Sequence, residues 1–496
     1  ATATATAHQF DQPIYSLLRR IFAFVDRSQR RCFLSDRLTQ LLEEQLTQSL
    51  VIAGGCFPDT LLDLVHQHSY LFPLEQRAAL LRATAFGTTR SMIWLLMRSG
   101  VANDFNQSRT VGRLRHERFF VNRDPDLLLE QGCLVLEYHA KHKSELEVVW
   151  LGEDGTGLGP TLEFYTLFSQ ELQRAKLALW LSNVPGSGSD AFVHPNNLFP
   201  APYPPYMNID HVLRYFRCVG ILLAKCLLDQ RFCDLDLSLE LVERFCPNTA
   251  LRSSNRVKTP LEAISRISRI DPEYASSLTN LLESAPSTHI ENLLLNFAYF
   301  PPSNAYGFSM CPVSPDHPTE EIVTNTTLPD YIVSLVNFML YDGVNAQINA
   351  IVQGLSQVFR TDVLRSLQVF SPEEFSLVVG GERHPNWTRA DLVKYVDAKN
   401  GYNEDSPTFI HFLDAMMLMT PSERSMVIQF VTGTRSLPIG GIAALTPRLT
   451  VAKKLNGGYP SVNTCNHFLK LPEYKSADEV KEKLLFASLE KGFYFN

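Results

Sequence analysis

At 496 residues the chain can hold roughly two to four domains with sizeable buried cores. Hydrophobic residues make up 45% and charged residues 20%, ordinary globular values, and a net charge of −7 offers no general attraction to nucleic acid. No apolar run reaches membrane-spanning length, and VGILLAKCLL is interrupted by Lys225, so neither nucleic acid nor a membrane is expected as a partner.

Nine cysteines without close CxxC pairs suit a reducing compartment better than a disulfide framework. No signal peptide is visible, which points to the cytoplasm and/or nucleus. The first residue is Ala1, as expected for a piece of a longer protein.

From the start to about residue 115 the pattern is helical. ATATATA is low in complexity. Ser35 is placed to cap a helix carrying Leu38, Leu41, Leu42 and Leu46, with Gly54 as its stop. Further helices are predicted over about 58–66 and 74–99. His66 and His68 form an HxH pair, but on a helix that spacing aims them at different faces, which argues against a metal site.

Residues 116–378 read as a larger unit. A strand over 146–151 runs into GEDGTGLGPTLEF. Strand, glycines and helix invite a phosphate-loop reading, but the spacing is not GxGxxG, no GK[ST] follows, and Glu153 and Asp154 would repel an anion. The alternative is a tight turn at Gly155, Gly157 and Gly159, then a helix with Pro160 in its first turn and Leu162, Tyr165, Phe168 and Leu172 on one face. Residues 181–208 are rich in Pro, Gly, Ser and Asn and form a loop. A helix over 210–229 is apolar almost all round and should be central. Cys218, Cys226 and Cys233 read as core residues. Residues 260–328 change texture: a helix over 273–283, the apolar LLLNFAYF, then a proline-rich loop.

VVGGERHP, residues 378–385, ends an apolar helix in Gly380, Gly381 and a proline, and its span 379–385 has a composition suited to a hinge. Beyond it, helices are predicted over about 388–399, 407–418 and 421–430, then strands flanking Cys465.

The tail from Tyr459 to Asn496 organises the chain. Cys465 lies in a polar turn with Ser461, Asn463 and Thr464, and His467 two residues on. Phe468 to Leu471 alternates like a short buried strand, and Pro472 ends it. Ser476 and Glu479 form a capping-box pattern before a helix with Val480, Leu484 and Leu485 on its apolar stripe. A cysteine is the best side-chain nucleophile near neutral pH, because part of it is already thiolate and sulfur is polarizable. Thr464 and His467 stand close enough in sequence to hydrogen-bond or polarise it. The competing reading is a small buried hydrophobe.

Thr464, Cys465, Leu469, Leu471, Pro472 and Tyr474 spell TC-x-x-x-L-x-LP-x-Y, which closely resembles the signature around the acceptor cysteine of HECT-type E3 ubiquitin ligases. QFVTGTRSLPIGG, Gln429 to Gly441, resembles that family's QF-TGT-x-x-P-GG segment, and Phe493 stands where the family has a phenylalanine fourth from the end. LFPLEQR, ATAFGTTRSMIWL and TGLGPTLEFY are similar to a subgroup of large HECT enzymes of the HECT domain-containing protein 1 and ubiquitin-fusion-degradation type.

The resemblance implies an α+β fold. A bilobal HECT domain would follow a helical extension over 1–115. The larger, mainly helical N-lobe would span 116–378, with an E2-binding subdomain at about 260–328. A hinge at 379–385 would lead to a smaller α/β C-lobe over 386–496. It implies ubiquitin, a ubiquitin-loaded E2 enzyme and protein substrates as partners, with no cofactor and no metal. Cys465 would accept ubiquitin as a thioester, and Phe493 would help order the lobes and the acceptor lysine. Leu278, Leu293, Leu295 and Tyr331 match the family's E2-contacting residues; the same leucines and tyrosine also suit a core.

Thioester exchange needs a thiolate and positioning more than a strong acid. Aminolysis also needs a proton acceptor, and His467, Glu473, Asp478 and the terminal carboxylate of Asn496 are all candidates. A cysteine protease would need a histidine such as His384 or His411 beside the thiol. A third reading is a helical scaffold with a buried Cys465.

Overall fold

In a computed structural model of the chain, residues 14–22, 24–99, 115–182, 192–193, 197–246, 256–285 and 288–489 are described, apart from the side chains at 27, 28 and 465. Among these residues no helix is long and apolar enough to cross a membrane.

After a helical stretch at 14–22 come α1 (Asp36–Thr47), α2 (Ser49–Gly54), α3 (Asp59–Gln67), α4 (Leu74–Thr84) and α5 (Thr88–Arg98). The Ser35 hydroxyl accepts from Leu38 N–H at 3.4 Å and starts α1. The helix predicted to run on to Gly54 instead breaks at Gln48, and Gly55, at φ +62°, caps α2. The helix predicted over 74–99 likewise divides at Gly87, whose φ of +87° the α-helix forbids. Leu42, Leu46 and Val65 are fully buried and belong to one core with residues up to Val379.

In that core β1 (His116–Val121) pairs in parallel with β2 (Glu145–Trp150) through the crossover helix α6 (Pro125–His139). The turn after β2 leads into α7 (Leu158–Glu171). Its Gly157 amide donates to Glu147 Oε1 at 3.0 Å, so the chain's own carboxylate occupies the place a phosphate would need.

The predicted central helix is α8 (Asp210–Asp229), followed by α9 (Leu239–Phe245), α10 (Pro260–Ile267) and α11 (Pro272–Ser284). A short antiparallel pair, β3 (Ala298–Tyr299) and β4 (Cys311–Pro312), precedes α12 (Leu328–Leu340), α13 (Asn345–Val358), α14 (Val363–Leu367) and α15 (Pro372–Gly380). Helices α8 and α13 cross at Gly220 and Gly354, where a Cβ on either would overlap the backbone of the other helix. Small residues there let the backbones touch. Cys218, Cys226 and Cys233 are buried as expected, and all eight cysteines with described side chains are free.

A second core gathers residues 387–484. It comprises α16 (Arg389–Tyr395), β5 (Asp397–Lys399), α17 (Pro407–Leu418), α18 (Pro421–Thr432), β6 (Thr450–Lys453), β7 (Ser461–Asn463), β8 (Phe468–Leu471) and α19 (Ala477–Leu489). The four-stranded sheet runs β5-β6-β8-β7, with β7 antiparallel to β8 and the other pairs parallel. Two expectations need correcting. The helix predicted over 388–399 stops at Tyr395, because 397–399 pairs with β6. Ser461 and Asn463 belong to a strand that pairs with β8, and only Thr464–Asn466 forms the turn.

Candidate active site

Cys465 is the middle residue of a single 3₁₀ turn, Thr464–Asn466, between β7 and β8. The antiparallel register pairs Asn463 with Phe468, so the turn closes the end of that ladder. Leu469 and Leu471 of β8 are fully buried while Lys470 between them is exposed, the alternation expected of a half-buried strand. Tyr402 Oη donates to Leu471 O at 2.9 Å and Tyr474 Oη to Gly458 O at 2.7 Å. The TC-x-x-x-L-x-LP-x-Y signature therefore supplies the strand and the tyrosine that hold the turn.

His467 ends the turn in the left-handed region, at φ +48°. Such a conformation costs an ordinary side chain about 1–2 kcal/mol. It is held by three bonds. The His467 N–H donates to Thr464 O at 3.4 Å, Thr450 N–H donates to His467 O at 3.0 Å, and the imidazole Nδ1 lies 2.6 Å from Pro447 O. With a carbonyl as partner, Nδ1 must carry the proton. Burial lowers the pKa of this imidazole and the Pro447 bond only partly opposes it, so the ring is a neutral clamp near pH 7.

Thr464 is half-buried. Glu473 pairs with Lys453 at 2.6 Å, and Asp478 lies in the first turn of α19. The Ser476 hydroxyl accepts from Glu479 N–H at 3.2 Å as expected, while the Glu479 carboxylate reaches Lys475 N–H at 2.9 Å. Phe493 and the Asn496 carboxylate lie outside the described residues. His411 Nδ1 is 3.2 Å from Tyr474 O.

Elements from both cores meet near this turn. Helices α7 and α18 flank Thr464–Asn466. The Thr166 hydroxyl donates to Gly433 O at 3.4 Å. Gly433 caps α18 at φ +83° and opens the GTRSLPIGG stretch.

That stretch pairs with the 379–385 segment. Gly380 is the last residue of α15, where an added Cβ would collide with the Arg383 guanidinium. Gly381 has φ +68°. Gly440 N–H donates to Glu382 Oε1 at 2.9 Å, and Arg383 donates to Asp236 at 2.5 Å and to Leu235 O at 2.6 Å. Glu382 and Arg383 thus face opposite cores. Sequence reasoning passed over both, because their partners lie far along the chain.

The residues matched to E2 contact divide. Leu278 is 5% and Tyr331 7% exposed, and Tyr331 meets Phe297 edge-on with ring centroids 5.7 Å apart. Both are core residues here, a correction to their reading as contact residues. Leu295 is partly buried against the same core. Leu293 is 50% exposed, and Leu294, which sequence reasoning missed, is 71% exposed.

Residues 166–496 match the HECT domain (ubiquitin-transferase) family. The chain is 34% identical to the E3 ubiquitin-protein ligase Ufd4 of Drosophila melanogaster, over 94% of this chain and 20% of that protein. It is 35% identical to the E3 ubiquitin-protein ligase hecd-1 of Caenorhabditis elegans, again over 94% and 20%. With the ubiquitin fusion degradation protein 4 of Saccharomyces cerevisiae the identity is 30%, over 93% of this chain and 31% of that protein. The chain therefore spans a fifth to a third of the length of these relatives. With the family match covering most of its length and the signature turn formed between β7 and β8, the chain belongs to the HECT-domain ubiquitin-transferase family.

Proposed function

We propose that this chain is the catalytic region of an E3 ubiquitin-protein ligase that carries ubiquitin as a thioester on Cys465. The observation that carries the reading is the Thr464–Asn466 turn, held by β6, β8 and the His467 clamp within a region matched to the HECT family. In the first step the Cys465 thiolate attacks the thioester carbonyl of the E2-bound ubiquitin, and the E2 thiolate leaves. In the second a neutral lysine amine attacks the new thioester, loses its proton, and Cys465 leaves as thiolate. Both steps are acyl transfers that depend on positioning.

The two partners would meet different lobes. Residues 116–378 form the E2-binding lobe, residues 386–496 the catalytic lobe, and 379–385 the hinge between them. Residues 1–115 are a helical extension. Two separate hydrophobic cores support this division. Leu293 and Leu294 offer the E2 an exposed apolar edge. The free thiols accord with a cytoplasmic or nuclear site of action.

A non-reducing gel with E1, E2, ubiquitin and ATP tests the reading. The expected product is a thiol-sensitive ubiquitin adduct that is absent from Cys465→Ala and becomes a thiol-resistant ester in Cys465→Ser. Adduct formation by the alanine variant would overturn it, and cleavage of ubiquitin conjugates would point to a protease. Phe493→Ala should load normally yet discharge slowly to lysine; equal discharge rates would remove the tail from the mechanism.

A further inference from the structure

Away from the cysteine turn, one cluster has no part in ubiquitin transfer. Glu117 projects from β1, His139 is the last residue of α6, and His142 follows in the turn that returns to β2. Glu117 Oε2 lies 2.7 Å from His142 Nδ1 and 3.5 Å from His139 Nε2, and the three ligand atoms all fall within 4.8 Å of one another. We propose that Glu117, His139 and His142 form a divalent-metal site of the zinc type, at the seam between the N-terminal helices and the β1–β2 pair.

The donor set is two imidazole nitrogens and one carboxylate, the mixture that suits zinc and not the all-oxygen ligation of calcium or magnesium. A tetrahedral ion bound at about 2.1 Å sets its ligand atoms about 3.4 Å apart. The two separations from Glu117 bracket that value, and the third lies within 4.8 Å. The Ser144 hydroxyl lies 2.7 Å from Glu117 Oε2 and 3.1 Å from His139 Nε2, close enough to anchor a water bound to the ion.

The backbone that carries these groups is held from several sides. Arg90 of α5 donates to Lys143 O at 2.9 Å and to Ser144 O at 2.7 Å, and Arg360 donates to Lys141 O at 3.0 Å. Lys225 Nζ reaches His142 O at 3.4 Å. Of the neighbouring cations, Arg90 pairs with the buried Asp229 side chain at 2.9 Å. His139 is fully buried, and its Nδ1 has no hydrogen-bond partner. His139 Nε2 faces the Glu117 carboxylate and the Ser144 hydroxyl, so an ion there would replace its hydrogen bond to Ser144. An ion there would rivet the turn that α5 grips, and so strengthen the docking of the N-terminal helices.

The test uses the whole chain, stripped with chelator and titrated with Zn²⁺ by calorimetry. Co²⁺ loading and X-ray absorption then read the ligand atoms, because cysteine thiols elsewhere also bind zinc. The expected result is a single equivalent with nitrogen and oxygen ligands only, and a higher Tm with metal. Affinity should fall by more than about tenfold in His142→Gln and in the half-buried Glu117→Gln. Should His142→Gln not fold, Glu117→Gln alone decides. Absence of stoichiometric binding, sulfur ligation of the bound ion, or undiminished affinity in a folded variant would each overturn the proposal and leave the cluster as a hydrogen-bonded turn.

Discussion

Glu382 and Leu437 exchange both of their backbone hydrogen bonds, at 2.7 and 3.1 Å. This two-residue bridge fastens the segment after α15 to the GTRSLPIGG stretch of the second core. It leaves no room beside Gly381, where a Cβ would stand 2.6 Å from Leu437 O and 2.9 Å from Ser436 Cβ.

Gly381→Ala should therefore cost about 2–4 kcal/mol, combining the left-handed backbone penalty with overpacking. Gly152→Ala is the control, since its φ is also positive, at +84°, but nothing lies within 4 Å. Its cost should stay near the backbone term of about 1 kcal/mol. Equal melting-temperature drops in the two variants would show that the bridge is not tight. Slower transfer from E2 to Cys465 in Gly381→Ala, with E2 affinity intact, would assign the hinge role to this segment.

The clamp at His467 gives a second expectation. His467→Ala loses the bond to Pro447 O and keeps the left-handed strain, whereas His467→Asn tolerates that backbone and retains a short donor. Alanine should cost about 1–3 kcal/mol and asparagine distinctly less. Thioester formation should follow the same order. A general-base role predicts the opposite, with both variants equally slow and the pH profile of discharge changed.

The edge proposed to meet the E2 separates surface from core. Leu293→Ala should leave Tm nearly unchanged and weaken E2 capture by about 1–3 kcal/mol, as for an interface anchor. Tyr331→Ala should cost about 3–5 kcal/mol of stability, since it empties a buried aromatic site. A thermally neutral Tyr331→Ala would contradict its burial. Undiminished E2 binding by Leu293→Ala would move the interface elsewhere.

Arg77 and Glu374 join the N-terminal helices to α15 through paired bonds of 2.7 and 2.5 Å. Burial alone would raise the Glu374 pKa, but the hydrogen bonds and charge of Arg77, with the Ser371 amide, hold the carboxyl below its usual range. The depressed folded-state pKa means the stabilisation is complete above the unfolded value of about 4.5 and is lost as pH falls through the folded one. Glu374→Gln should cost about 1.5–3 kcal/mol at neutral pH, the range for hydrogen bonds to charged groups. The gap to wild type should close in acid. A difference that persists unchanged below that pH would mean the carboxylate charge is not what holds the helices.

Local pattern was enough for the long elements. Helices α8 and α17 follow their predicted bounds, because one is apolar almost all round and the other starts on a proline after Ser406 and carries an uninterrupted apolar face. The Cys465 signature was legible through its resemblance to the HECT pattern, and the alternation of Phe468 to Leu471 marked the strand beside it. Contacts between distant residues were not legible. Leucine and tyrosine look alike at a surface and in a core, so only packing could bury Leu278 and Tyr331 while exposing Leu293 and Leu294. Three-residue strands such as β5 and β7 carry too little periodicity to announce themselves, and exist because β6 and β8 supply their hydrogen bonds. The Glu382–Leu437 bridge and the Arg383–Asp236 pair each join residues separated by long stretches of chain, and the Glu117–His139–His142 cluster needs the β1–β2 crossover to close, so the tertiary fold alone brought them together.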